Sequence, residues 1–235
     1  MLRFEVLGKE VVFVIAEAAL ELVPPEIAGH SAVSRNARRR GKSPVETLLD
    51  VSLHYPAMKR LRDREKRGRP DILHVTLLEL LSSPLNLEGL MKIYVHTYGD
   101  YAITVDPSTK VPRNYMRFVG LMEQLLTVGR VPPNSDKPLM KAYPSTFRNL
   151  LKEAGFESCI LLSEEGDLKP PEEICGEALN SDLPLVIGGF PHGKFNEEVS
   201  GICRSTFSIY HRPLEAWVVA SRLAGACEKV LKVLI

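Results

Sequence analysis

The stretch LPLVIGGFPHGK, residues 183–194, joins an apolar run typical of a buried strand to three glycines within six residues. Glycine lets a backbone approach a ligand closely, and ligands of α/β sheets bind at the carboxyl ends of the strands. The spacing is not GxGxxG, so no nucleotide phosphate loop is predicted. A tight turn without a ligand explains the stretch about equally well, and His192 alone is more often structural than catalytic.

Strand and helix patterns alternate on both sides of this stretch. Besides the run at 183–187, we expect strands at about 11–15, 158–162 and 203–209, and helices at about 45–53, 57–66, 72–81, 171–179 and 213–234. Two more strands, at 91–97 and 101–105, are joined through Gly99-Asp100, which is a hairpin signal. The alternation predicts an α/β fold with a mostly parallel sheet, helices on both faces, and an antiparallel hairpin.

The last predicted helix carries one continuous apolar stripe. Pro213 suits its first turn, and Glu215 complements the positive end of the helix dipole. The small residues 224–226 keep part of the surface flat, which allows close packing against another subunit. Packing within one chain explains the pattern at least as well. The stripe consists of Ala220, Leu223, Cys227, Val230, Leu231 and Leu234.

Composition indicates an ordinary globular protein, since 45% of its 235 residues are hydrophobic and 25% are charged. No apolar run has the length of a membrane span, and the N-terminus lacks the layout of a signal peptide, so we expect a cytoplasmic protein. The cysteines are scattered without a CxxC pair, which predicts no metal site and four reduced, mostly buried thiols; disulfides are the alternative. They are Cys159, Cys175, Cys203 and Cys227.

The net charge of +1 hides a strong asymmetry along the chain. Residues 35–69 contain twelve Lys/Arg and four Asp/Glu, and the rest of the chain contains 18 and 25. A solvated helix face explains the part of this segment that mixes both signs. The run Arg38-Arg39-Arg40-Gly41-Lys42 contains no acid, however, which favours a polyanion such as nucleic acid as partner.

The run RGRPDILH, residues 67–74, places two arginines and a carboxylate around a Gly/Pro turn. Pro70 disfavours the helical region for Arg69, and Asp71 is expected to cap a helix that begins at about Ile72. A guanidinium fixed in this way suits a phosphate or a base edge. A helix cap with a surface ion pair is the alternative, and Arg67 is expected to be a solvated charge.

The segment 110–126 combines an apolar helix face with a row of cations. Phe118, Leu121, Met122 and Leu125 repeat at helical spacing and should face the core. Arg113 and Arg117 are four residues apart and should share another face, with Lys110 just before the helix. No carboxylate separates the three cations, so they indicate a phosphate track on RNA or DNA more than a bland solvated surface.

Taken together, these segments resemble the SPOUT-class ribosome-biogenesis methyltransferases that act on N1 of pseudouridine in small-subunit ribosomal RNA. The resemblance rests on motifs in order from residue 69 onward: Arg69-Pro70-Asp71-Ile72 with His74, Ser83-Pro84-Leu85-Asn86, Arg113, Arg117-Phe118, Gly120-Leu121-Met122, Gln124-Leu125-Leu126, the 188–193 loop, Ser208-Ile209, Pro213-Leu214 and Ala216.

The resemblance implies one SPOUT-type domain over residues 1–235, with a C-terminal deep trefoil knot. The domain would comprise a basic, RNA-facing elaboration at about 30–70 and a cofactor-binding knot region at about 158–235. It further implies a homodimer. S-adenosylmethionine would bind in the knot loops, against Leu162, Gly188, Gly193, Ile209, Tyr210, His211, Arg212, Pro213 and Leu214.

The family's RNA-contacting arginines correspond to Arg69, Arg113 and Arg117, with Asp71 orienting Arg69. Lys110 occupies a further arginine position, which keeps the charge but loses the bidentate fork. The implied substrate is an unpaired pseudouridine in a stem-loop of small-subunit ribosomal RNA, and Arg69 would stabilise the negative charge that develops on its ring. No metal is implied, and no residue is assigned as general base.

Two other functions agree with the same motifs. One is a ribosome-assembly RNA-binding protein with little or no catalysis, against which the intact glycines 188, 189 and 193 argue. The other is a methyltransferase of the same class that acts on tRNA, against which the Arg-Pro-Asp unit argues.

Overall fold

A computed structural model describes residues 9–233 of the chain. It contains an eight-stranded sheet in the order β4-β5-β3-β2-β1-β7-β6-β8. The four neighbour contacts from β2 to β8 are parallel, and the three from β2 to β4 are antiparallel. The strands are β1 (Val11–Ala18), β2 (Met91–Thr97), β3 (Tyr101–Val105), β4 (Arg130–Val131), β5 (Met140–Pro144), β6 (Ile160–Leu168), β7 (Leu185–Gly188) and β8 (Ser205–Ser208).

Helices cover both faces of this sheet. The described helices are α1 (Pro25–Ala28), α2 (Ser31–Arg39), α3 (Val51–Met58), α4 (Pro70–Ser82), α5 (Pro84–Leu87), α6 (Tyr115–Val128), α7 (Phe147–Glu153), α8 (Pro171–Ser181), α9 (Glu197–Ile202) and α10 (Ala216–Val230). In β1, Val11, Phe13 and Ile15 pack with α4, α6, α8 and α10, whereas the alternate residues pack with α7 and α9. The predicted mostly parallel sheet, covered on both faces and extended by a hairpin, is confirmed.

Residues 23–61 add a small helical layer with its own core. The helices predicted at about 45–53 and 57–66 are wrong in extent, because α3 lies between two single 3-10 turns at Pro44–Glu46 and Arg64–Lys66. Asp50 starts α3 by accepting a hydrogen bond from the Ser52 N–H at 2.8 Å. Pro56 lies inside α3, and proline at such a position removes a backbone donor and limits the helix to a short length.

The last helix begins three residues later than its sequence suggested. Pro213 lies in an exposed loop, α10 starts at Ala216, and Glu215 occupies the N-cap position. The apolar stripe packs within the chain, because Ala220, Leu223 and Cys227 are fully buried against the core shared with α4 and α8. Leu234, which was expected to extend the stripe, lies outside the described residues. The elements α1, α2, α5, α7, α9, β4 and β5 were not predicted.

The prediction of four reduced thiols is wrong, because the structure pairs all four cysteines. Cys159 and Cys203 are 4.4 Å apart between their Cα atoms, and Cys175 and Cys227 are 5.5 Å apart. The first pair forms where β6 and β8 begin side by side, and the second forms where α8 packs on α10. Linear spacing cannot reveal either contact, since each pair is more than forty residues apart in sequence.

Candidate active site

Three loops meet at the carboxyl edge of the parallel strands and enclose a cavity of about 470 Å³. Two of these loops follow β7 and β8, the third is an excursion inside β6, and Ile72 of α4 and Val219 of α10 complete the wall. This volume and position are typical of a binding site for a small molecule or cofactor in an α/β protein. The loops contribute lining residues from 162–165, 187–195 and 207–216.

The loop after β7 requires glycine at several positions. A Cβ atom on Gly188 would lie 3.0 Å from Phe195 and 3.1 Å from Phe190, whose rings pack edge to face in the cavity wall. A Cβ on Gly189 would lie 2.7 Å from Cα of Ala18. Gly193 has φ +102°, a conformation that other residues rarely adopt. The backbone can therefore approach a ligand here, as the sequence predicted, although the two aromatic rings were not anticipated.

The third side of the cavity is an excursion inside β6. Phe207 pairs with both Leu162 and Asp167, so residues 163–166 leave the pairing with β8, and residues 163–165 form part of the cavity wall. Gly166 permits the return, because a Cβ there would lie 2.6 Å from the backbone of Phe207. An ion pair between Glu165 and Lys194 joins this excursion to the loop after β7 across the cavity mouth.

Eight of the nine residues predicted to bind the cofactor line this cavity. They are Leu162, Gly188, Gly193, Ile209, Tyr210, Arg212, Pro213 and Leu214. The ninth, His211, is exposed, and its ring contacts that of Tyr210 with 4.1 Å between centroids. The structure thus gathers residues that are up to 52 positions apart in sequence, and their roles toward a cofactor stay predictions.

Arg69 and Asp71 lie beside the cavity, since Ile72 follows them directly in its wall. Nε and Nη2 of Arg69 donate to the two oxygens of Asp71 at 2.8 and 2.7 Å. This bidentate bond, opposed by partial burial, raises the pKa of Arg69 above its usual value. The predicted cap was wrong: α4 begins at Pro70 with Arg69 at the N-cap position, because Asp71 is occupied by the guanidinium.

Lys110, Arg113 and Arg117 are all exposed, and they surround the start of α6. The spacing predicted that Arg113 and Arg117 share a helical face, and this is wrong. Asn114 caps the helix and α6 begins only at Tyr115, so Arg113 lies outside it. The three cations therefore form a cluster on a loop and the first helical turn. We call these three residues the cationic ridge.

Two hydrogen bonds hold the cationic ridge next to Arg69. Nε2 of His74 contacts the Pro112 carbonyl at 2.7 Å, and the Tyr115 hydroxyl donates to Asp50 at 2.7 Å. Burial raises the pKa of Tyr115, and the hydrogen bond to the Asp50 carboxylate raises it further. The charge of Asp71 also raises this pKa, whereas the charge of Arg69 lowers it. The ridge and the Arg69–Asp71 pair consequently lie on the same side of the molecule.

Several cations of the basic segment bind carboxylates inside the protein. Arg67, expected to be solvated, is 8% exposed and donates to both oxygens of Glu21 at 2.7 and 2.6 Å. Arg40 and Lys42 both bind the buried Glu123. Burial alone would raise the pKa of Glu123, but the hydrogen bonds from these two cations lower it. Arg67 was misjudged because its partner lies forty-six residues away in sequence. Besides Lys42, the exposed cations of the segment are Arg35, Arg38, Arg39, Lys59, Arg60, Arg62 and Arg64.

Comparison with known proteins identifies the family. The family model described as EMG1/NEP1 methyltransferase matches residues 13–228. The chain belongs to this methyltransferase family. The resemblance that the sequence motifs indicated is thereby confirmed, and so is the prediction of an enzyme.

Relatives of the EMG1/NEP1 family match along nearly their whole length. The ribosomal RNA small subunit methyltransferase Nep1 of Staphylothermus marinus is 52% identical over 94% of this chain and 96% of the relative. The protein of the same name from Saccharolobus solfataricus is 46% identical over 93% of this chain and 96% of the relative. The crystal structure of Archaeoglobus fulgidus Nep1 bound to S-adenosylhomocysteine superposes with a TM-score of 0.84, at 39% identity, over 94% of this chain and 98% of that chain.

The described part of the chain contains neither a helix that could span a membrane nor a cluster of side chains that could hold a metal ion. Within residues 9–233, no helix is long and apolar enough to cross a membrane. Over the same range, no group of three or more His, Cys, Asp or Glu side chains is arranged to hold a metal ion.

Proposed function

We propose that this protein is an S-adenosylmethionine-dependent methyltransferase that modifies N1 of an unpaired pseudouridine in small-subunit ribosomal RNA, and so serves biogenesis of the small subunit. The observation that carries the proposal is the glycine-walled cavity beside the clamped guanidinium of Arg69. The relatives named for small-subunit ribosomal RNA methylation, and the related structure that holds S-adenosylhomocysteine, support this substrate class and this cofactor.

The cavity residues fit S-adenosylmethionine. Gly188 and Gly193 have no side chains, so the backbone there can lie close to the methionine and ribose groups of the cofactor. The backbone N–H and C=O groups can then bind those groups. Apolar walls from Leu162, Ile209 and Leu214 suit the adenine ring. When bound, the cofactor supplies a methyl group on a positively charged sulfur.

The chain's own residues act on the pseudouridine. Methylation would replace the N1–H bond by a bond from N1 to the methyl carbon; the sulfur would leave as a neutral thioether, and the N1 proton would pass to water. Negative charge therefore develops on the ring, and Arg69, held in place by both oxygens of Asp71, stabilises it. Positioning of a flipped base in line with the methyl group supplies much of the remaining rate.

The cationic ridge binds the backbone of the RNA. Arg113 and Arg117 provide planar forks for phosphate oxygens, and Lys110 provides a single ammonium. Their exposure and their position on the same side as Arg69 support this role. The exposed arginines of residues 30–70 extend the positive surface toward the stem.

We also propose the other features that the family resemblance implies, which are a single domain, a trefoil knot, a homodimer and a cytoplasmic location. One sheet includes strands from residue 11 to residue 208, which supports a single domain over residues 1–235. The three cavity loops form part of a trefoil knot, and two copies of the chain form a homodimer. Leu168 and Tyr210, which are 65% and 45% exposed next to the cavity loops, are apolar surface that a second copy would cover. A cytoplasmic location agrees with an RNA substrate of the ribosome.

Methyl transfer to defined RNAs tests the proposal. The protein is incubated with S-adenosylmethionine labelled in its methyl group and with three stem-loops that differ at one loop position. The pseudouridine RNA should be labelled, and the other two should not. In uridine N1 is bonded to the ribose and has no proton to replace, and in N1-methylpseudouridine N1 already carries the methyl group. Equal labelling of all three would contradict N1 specificity.

A further inference from the structure

A bulge in the central strand β1 points a buried carboxylate at the loop after β7, residues 189–196, which we call the cofactor loop. Between Ile15 and Ala18 the register of β1 against β2 shifts by one residue, and Glu17 takes a left-handed φ of 50°. Its side chain is 3% exposed. Strand bulges and strained residues are concentrated at functional sites, where they redirect a side chain. This bulge lies directly beyond the pairing of Ala16 with Gly188.

The Glu17 carboxylate binds one group on each side. Its Oε1 accepts the backbone N–H of Asn196 at 2.7 Å, at the end of the loop after β7. Its Oε2 accepts from Nζ of Lys66 at 2.5 Å. Asn196 in turn caps α9 by accepting the N–H of Val199 at 2.9 Å. The carboxylate therefore fixes both the far end of the cofactor loop and a lysine of the basic segment.

The Lys66 side chain lies against the cofactor loop from Cγ to Nζ. Its ammonium is 4.5 Å from the centroid of the Phe190 ring, and its Cε would lie 3.1 Å from a Cβ on Gly193. Its side chain is 11% exposed. A buried ion pair of this kind is weak evidence for stability, because desolvation opposes the attraction, but it restricts the conformations in which both charges have partners.

The same end of β1 also holds the segment that carries Arg69. The Arg69 N–H donates to the Ala19 carbonyl at 3.1 Å, and the Ala19 N–H donates to the Gly189 carbonyl at 2.8 Å. Lys66 precedes Arg69 by only three residues. Residues 17–19 thus lie between the cofactor loop on one side and residues 66–69 on the other, with direct bonds to both.

We propose that Glu17 and Lys66 are a positioning pair, which holds the cofactor loop in its binding shape and couples binding of S-adenosylmethionine to binding of RNA at Arg69. This inference rests on the proposed function. Neither residue lines the cavity, so the pair acts through the loop and through residues 66–69. Coupling between two ligands is reciprocal: whatever factor RNA contributes to cofactor affinity, the cofactor contributes to RNA affinity.

Calorimetric titration tests the pair with S-adenosylhomocysteine, in the absence and presence of saturating pseudouridine stem-loop. The ratio of the two dissociation constants is the coupling factor. For the unaltered protein we expect a factor of about five or more, the usual lower range for coupled sites. Lys66→Met should weaken S-adenosylhomocysteine binding about tenfold and bring the factor close to one. Lys92→Met is the matched control, because it breaks an exposed Lys–Glu pair at the amino end of β2.

Glu17→Gln provides a second variant that keeps an oxygen for the Asn196 N–H and changes only the charge. It should lower affinity less than Lys66→Met, and the double variant should be no weaker than Lys66→Met alone, because both changes remove one interaction. A folded Lys66→Met protein that retains the coupling factor would overturn the inference, and so would a factor of one in the unaltered protein. Failure of the unaltered protein to bind S-adenosylhomocysteine would instead refute the proposed function.

Discussion

At the scale of single residues, geometry matters more than energy in the Arg69–Asp71 pair. Its side chains are 32% and 39% exposed, and ion pairs with this exposure contribute at most about 1 kcal/mol to folding. The two parallel hydrogen bonds nevertheless fix the plane of the guanidinium, and only arginine presents such a fork to a carboxylate. The pair therefore orients a charge toward the RNA and adds little to stability.

Arg69→Lys tests this view, because lysine keeps the charge and loses the fork. We expect RNA binding to weaken about tenfold, or ~1.4 kcal/mol, while S-adenosylhomocysteine affinity and the melting temperature stay nearly unchanged. Fluorescence anisotropy with a labelled stem-loop measures the first, and calorimetry measures the second. Arg222→Lys, at an exposed position of α10, is the control. RNA affinity equal to that of the unaltered protein would refute the role of Arg69.

Gly193→Ala tests the cofactor loop at its most restricted backbone position. Alanine is strained at φ +102°, and its Cβ would press on the Lys66 side chain at 3.1 Å. We expect S-adenosylhomocysteine to bind at least tenfold more weakly in calorimetry, with the protein still folded. Gly201→Ala in α9 adds a Cβ that meets nothing within 4 Å and should leave the affinity unchanged. Equal affinities in both variants would contradict the proposed loop conformation.

At the scale of elements, sequence periodicity predicted the long segments and missed several short ones. The helix expected at 72–81 and the hairpin at 91–105 are present because their apolar residues repeat over several turns or pairs. The two-residue β4, the seven-residue α7 and the six-residue α9 carry too few residues for a period to emerge. Their positions depend on packing against a sheet that the local sequence does not encode.

The disulfides illustrate the same limit and allow a test. Each one closes a loop of about fifty residues, which in the chain-entropy model stabilises the folded state by about 4 kcal/mol. In a protein of this size, loss of that much stability lowers the melting temperature by about 10 °C. Protein prepared without reductant should titrate no thiols when denatured, and a reducing agent should lower its melting temperature.

The control for this measurement is a variant with serine at all four cysteine positions. Its melting temperature should be lower than that of the oxidised protein and should not respond to reductant. If denatured, unreduced protein titrates four thiols, the disulfides are absent and the original expectation of free cysteines stands.

At the scale of the whole molecule, a count of charges overstates the surface available to RNA. The sequence places twelve cations in residues 35–69, but Arg40, Lys42, Lys66 and Arg67 bind carboxylates that are at most 13% exposed and come from elsewhere in the chain. Sequence motifs identified eight of the residues that line the cavity, because they are local. The pairs that attach the basic segment to the sheet, such as Lys66 with Glu17, join distant positions and become visible only in the fold.

The salt dependence of RNA binding tests how many cations remain for the phosphates. Each phosphate contact to a single strand contributes about 0.7 to the slope of log affinity against log salt concentration. Arg113→Ala and Arg117→Ala should each reduce the slope by about that amount, and the double variant by about 1.4, while cofactor affinity stays the same. Arg130→Ala is the matched control, because this exposed arginine follows α6 at its other end, about 20 Å from Arg117. An unchanged slope in the double variant, or loss of cofactor binding, would remove the cationic ridge from the RNA-binding surface.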